Sequence, residues 1–110
     1  MENLELVCFQ LISLAGSAKS KCYESLKSIE NGNREDYELK IEEAGKLFIQ
    51  AHKIHAELIA KEAAGDSVDL NLLLVHAEDQ LAAAEMSKDY ISQMAKLYDV
   101  IGKLKEEIKA

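Results

Sequence analysis

Apolar side chains recur at intervals of three and four along most of the chain. Leu4, Cys8, Leu11, Ala15, Ala18, Cys22, Leu26 and Ile29 share one face of a helix predicted over about residues 3–30. Asn31-Gly32-Asn33 ends that pattern. Gly32 suits the left-handed residue that closes a helix, and Asn33, with Asp36 three residues on, is the expected cap of the next. Tyr37, Ile41, Ala44, Phe48, Ala51, His55 and Leu58 then predict a second helix over about 34–64, broken by Gly65-Asp66-Ser67. With Asp66 or Ser67 as cap, a third helix is expected over about 68–108, its last turns carrying Lys103 and Lys105 where the helix dipole favours cations.

Three helices with two short connections give an all-α, up-down-up array in a single domain over 1–110. Helices of that length, roughly 40 to 60 Å, are long for a chain of 110 residues to cover by itself. The third helix sharpens the point. Between Leu70 and Met86, Leu72, Leu73, Leu74, Val75, Ala77, Leu81, Ala82, Ala83 and Ala84 surround its axis instead of forming one stripe. Two partner helices cannot cover such a helix on all sides, so a homo-oligomer is expected.

Composition narrows the class further. There is no proline, only five glycines, and 48% of the residues are apolar, in keeping with long helices rather than a sheet. The net charge of −7 argues against binding a phosphate backbone, which needs clustered Lys and Arg. No basic segment precedes an apolar run at the N-terminus, and no apolar run approaches the roughly 18 residues of a membrane span, so the expectation is a cytoplasmic protein without membrane insertion. Cys8 and Cys22 are about 21 Å apart along one helix, too far for a disulfide within it, and fall on its apolar stripe as reduced core residues.

Chemistry concentrates in the third helix. His76, Asp79 and Gln80 share one sector, whereas Glu78 points nearly opposite and is expected to face away from it, toward a neighbouring subunit. Asp79 interrupts the line Leu72, Val75, Ala82, Met86, where a lone carboxylate needs a cation, a proton or a donor. Equivalent Asp79 side chains meeting on a symmetry axis could bind a hard cation such as Mg²⁺; pairing with a lysine of another helix would serve equally. A neutral imidazole at His76 has a lone pair able to accept a phosphoryl group, or it can serve as a hydrogen-bonding group at an interface. Other constellations fail. The residues three before His52, His55 and His76 are Ile49, His52 and Leu73, so no Glu-x-x-His metal motif exists, and there is no glycine-rich phosphate loop.

The run Val68-Asp69-Leu70-Asn71-Leu72-Leu73-Leu74-Val75-His76-Ala77-Glu78-Asp79-Gln80-Leu81 resembles the signature of the enzyme IIA component of the lactose/cellobiose (and chitobiose) class of the bacterial phosphoenolpyruvate-dependent sugar phosphotransferase system. Ala15-Gly16-Ser17-Ala18-Lys19-Ser20 resembles its Gly-x-Ala-Arg-Ser segment, and Ala51-His52 with Lys61-Glu62-Ala63-Ala64-Gly65 its second helix and closing turn. The resemblance implies a homotrimeric bundle of three-helix protomers, His76 as phosphoryl acceptor, and Asp79 as ligand of a metal, Mg²⁺ by expectation, shared on the trimer axis. It implies HPr as donor and a cysteine of a cognate IIB as acceptor during uptake of a β-linked disaccharide such as cellobiose or lactose through IIC. Glu78, Gln80 and Ala82 replace the commoner glutamine, histidine and methionine, and Glu78 and Gln80 are expected to support the acceptor. A histidine phosphotransfer module of a two-component relay is the nearest alternative, but its His-x-x-Lys-Gly pattern is missing because Asp79 stands at the lysine position. A non-catalytic helical oligomer is the other.

Overall fold

The computed structural model describes residues 3–109. Asn3 accepts the backbone N–H of Leu6 and opens α1, Leu4–Glu30. Gly32, at φ +77°, turns the chain, and the Asn33 side chain accepts the Asp36 N–H at 3.0 Å to start α2, Arg34–Ala63. Gly65, at φ +94°, closes α2, the Asp66 N–H reaching back to the Lys61 carbonyl. These joints fall where the sequence pattern places them.

The start of α3 does not. It spans Leu72–Lys109, beginning four residues later than the expected 68, and its cap is Asn71, whose side chain accepts the Leu74 N–H at 2.9 Å, in place of Asp66 or Ser67. Asn71 lies three residues before Leu74, the first residue of α3 to be buried against α1, so the cap and the packing register agree there and not at Ser67. The intervening residues form the link that brings the chain back to the bundle.

α1 is the middle of the fold and packs along both other helices, whereas α2 and α3 touch each other little. Its buried residues Cys8, Leu11, Ala15, Ala18 and Cys22 meet Ala44, Phe48, Ala51 and Leu58 of α2 and Leu74, Ala77, Leu81, Ala84, Ile91 and Ala95 of α3 in one cluster. The alanines let helix axes approach closely, and the larger side chains fill the space between them. Both cysteines are free and buried, as expected. Burial pushes both thiols up, and the Glu78 carboxylate adds to the effect at Cys8.

The resulting rod measures 65 × 21 × 18 Å, and no helix among its described residues is long and apolar enough to cross a membrane. Where α2 and α3 meet, polar pairs bridge them. Arg34 Nη1 donates to both carboxylate oxygens of Asp99, at 2.6 and 2.8 Å, and His52 and His55 lie against Glu85 and Glu78.

Candidate functional site

Asn71 fixes the first turn of α3, and the burial of Leu74, Ala77, Leu81 and Ala84 against α1 fixes its rotation about its own axis. Everything else about the site follows from that rotation. Asp79 falls on the opposite side and His76 about a quarter-turn round from the buried face; both are exposed, as are Leu72, Val75, Ala82 and Met86. Leu72 is 83% exposed, so the surround of His76 is an apolar surface open to solvent. Gln80, four residues from His76, is half-buried at the edge of the same sector. The structure thus brings His76, Asp79 and Gln80 to one face, as the spacing predicts.

Glu78 is elsewhere. Its carboxylate Oε2 lies 2.6 Å from Nδ1 of His55 on α2, so within its own chain the side chain faces α2. The reason is geometric. Two residues advance a helix by about 200°, and the far side of α3 from His76 borders α2. A groove of about 360 Å³ opens there between the helices, lined by His55, Leu58, Leu74, Val75 and Glu78 among others. Two turns further along α3, Glu85 Oε1 meets Nε2 of His52 at 2.5 Å.

Sequence reasoning set His52 and His55 aside after the metal motifs failed and did not foresee these carboxylate partners. A signal existed. Consecutive helices of an up-down-up array run antiparallel, so residues advancing along α2 meet residues receding along α3, and a histidine pair facing two glutamates in reverse order is the pattern to look for.

Asp79 takes part in none of the ion pairs among the described residues. No three His, Cys, Asp or Glu side chains among the described residues gather to hold a metal. Chemically, the site is an imidazole on a solvent-exposed apolar platform with a carboxylate one turn away. An imidazole so placed is open to contact from another molecule's surface.

The chain is a three-helix rod that presents one imidazole on an exposed apolar face. The chain matches the model of the lactose/cellobiose-specific IIA subunit of the phosphotransferase system over residues 6–99. It is similar to the lichenan-specific phosphotransferase enzyme IIA component of Bacillus subtilis, 33% identical over 100 residues that cover 91% of each chain. Its fold is similar to that of the cellobiose-specific enzyme IIA from Bacillus anthracis, with a TM-score of 0.89 and 30% identity over 94% of each chain. It also resembles IIA(Chitobiose) in complex with HPr from the N,N'-diacetylchitobiose branch of the Escherichia coli system, with a TM-score of 0.80 and 25% identity over 93% of this chain and 99% of that one. The chain belongs to the lactose/cellobiose-specific IIA family and is a phosphoryl-carrying component of a sugar phosphotransferase system.

Proposed function

We propose that His76 is the phosphoryl acceptor, loaded by phospho-HPr and discharged to a cysteine of a cognate IIB during uptake of a β-linked disaccharide. The observation that carries this reading is the position of His76: an exposed imidazole in the second turn of α3, ringed by exposed Leu72 and Val75, with Asp79 one turn on. The imidazole lone pair attacks the phosphorus of the donor phosphohistidine, a new N–P bond forming as the donor's N–P bond breaks. In discharge a thiolate of IIB attacks the same phosphorus, and His76 leaves as neutral imidazole. The protein's contribution is positioning, and the flat apolar surround lets two different partners dock in turn. Gln80 is an amide within reach of the same sector, suited to orient the imidazole or an incoming phosphoryl oxygen. The setting we propose for this exchange is the cytoplasm.

The working form is a homotrimer. Met86, Tyr90, Met94, Leu97, Ile101, Leu104 and Ile108 prolong the exposed apolar line of α3 to its end, at intervals of three and four, and a second copy of the same stripe is its natural cover. Three such helices around an axis bring three Asp79 side chains toward it. Oxygen ligands suit a hard cation such as Mg²⁺, and the lack of an ion-pair partner for Asp79 among the described residues is compatible with that role. The cation would neutralise carboxylates otherwise buried together, a structural contribution separate from the transfer at His76.

The test is phosphorylation of the purified protein by phosphoenolpyruvate, enzyme I and HPr, read by intact mass and acid lability. Wild type is expected to gain one acid-labile phosphoryl group per chain, and His76→Ala none. Labelling that survives in His76→Ala would move the acceptor elsewhere, and no labelling of wild type by active donors would reduce the chain to a helical oligomer.

A further inference from the structure

Glu78 poses a problem that its surroundings answer. A carboxylate two residues from a phosphoryl acceptor sets a negative charge beside a group that, when loaded, carries about two more. The signature this chain resembles has a neutral glutamine there. At a separation of about 10 Å near a protein surface, such like charges are only partly screened and disfavour the loaded state by a factor of several.

The structure holds Glu78 on the far side of α3 from His76. Its carboxylate sits 2.6 Å from His55 Nδ1, in the α2–α3 groove between Leu58, Leu74 and Val75. Among the described residues His55 Nδ1 is the one basic nitrogen within 4.0 Å of the Glu78 carboxylate. A glutamate has three rotatable bonds, so without His55 nothing in the groove, whose other walls are mostly apolar, would keep the carboxylate from turning toward its solvent-facing rim. Val75, exposed and one residue before His76, stands at that rim.

We infer that His55 is a positioning residue for phosphoryl transfer, which holds the Glu78 carboxylate in the α2–α3 groove and so keeps its charge off the face where His76 is loaded. This rests on the reading of His76 as acceptor. The second pair supplies an internal control: Glu85 is nine residues beyond His76, about 14 Å along the helix, so its bond to His52 joins the same two helices without touching the charge near the acceptor.

The experiment measures the rate of loading by phospho-HPr for wild type, His55→Ala, Glu78→Gln, the double variant and His52→Ala, with thermal melts of each. His55→Ala is expected to load on His76 about three- to tenfold more slowly, and Glu78→Gln at least as fast as wild type. The double variant is expected to recover to within about twofold of wild type although it lacks the pair altogether, and His52→Ala to load normally. If His55→Ala melts below the assay temperature, His55→Gln with and without Glu78→Gln replaces it. A double variant as slow as the single one would assign His55 a packing role and overturn the inference, as would an unchanged rate in His55→Ala. Either result leaves wild-type labelling and its loss in His76→Ala intact. Failure of the acceptor reading would instead show as labelling that is absent from wild type or indifferent to His76, which overturns both.

Discussion

The two faces of α3 are almost equally apolar and have opposite fates. Inward, Leu74, Ala77, Leu81, Ala84, Ile91 and Ala95 are buried against the rest of the chain, and Lys88, on the same stripe, is half-buried with its ammonium 5.6 Å from the centre of the Phe48 ring. Outward, Leu72, Val75, Ala82, Met86 and Tyr90 are exposed, and His76 and Asp79 stand among them. Hydrophobicity by itself does not tell a core from a docking surface. What separates the faces is the chemistry each tolerates: a packed interior excludes unpaired polar groups, whereas a surface covered by another protein accepts them where they are ligands or acceptors.

The comparison predicts its largest contrast from one type of substitution made on both faces. Leu81 is 3% exposed and Leu72 is 83% exposed. Leu81→Ala removes packed methyl groups from the core and is expected to destabilise the protomer by about 2–5 kcal/mol, read by urea or thermal unfolding. Leu72→Ala is expected to change protomer stability by less than about 0.5 kcal/mol. Equal losses at both positions would mean that the outward face is as firmly covered as the core.

A charge on the outward stripe should separate folding from assembly. Met86→Glu is expected to convert the sedimenting species from trimer to monomer at micromolar concentration while helical circular dichroism persists, because Met86 is half exposed in the protomer and contributes little to its core. Asp79→Leu works in the opposite sense. It extends the apolar stripe, so the trimer is expected to persist or tighten, and any shift of its melting temperature on adding or chelating Mg²⁺ should vanish. Dissociation of Asp79→Leu into monomers would count against placing Asp79 on an axis.

Much of this was legible in the sequence, for identifiable reasons. Helix joints at Gly32 and Gly65 were, because a glycine at positive φ closing a helix is a local feature. The face shared by His76 and Asp79 was, because spacing along a helix fixes it whatever the surroundings. The start of α3 was not, since Asp66, Ser67 and Asn71 are all competent caps and the choice falls to where Leu74 can first bury itself. The partner of Glu78 was hidden for a similar reason: the rotation that turns it away from His76 is local, but the arrival of His55 there depends on how α2 and α3 flank α1.

The joints between helices extend the contrast to smaller effects. The α2–α3 joint has little apolar contact and relies on bridges such as Arg34–Asp99. That pair is about half exposed, and Arg34→Ala is expected to cost no more than about 1 kcal/mol, with the loss shrinking in high salt.

The α1–α2 joint is closed by the core itself, so its polar pair should matter least, and pH is the means of isolating it. Lys21 Nζ lies 2.9 Å from Glu43 Oε2, and this ammonium holds the Glu43 carboxyl below the ordinary glutamate value. A carboxyl depressed in the folded state contributes stability that is fully present above its unfolded value and is lost as pH falls through the folded one. Thermal melts of wild type and Glu43→Gln should therefore differ slightly at pH 7, wild type being the more stable. The gap should narrow through the acid range and close once Glu43 is protonated in both states. A gap that stays constant from neutral to acid pH would show that Glu43 acts through its shape or its amide-compatible contacts rather than its charge. The apolar packing of α1 on α2 would then account for that joint alone.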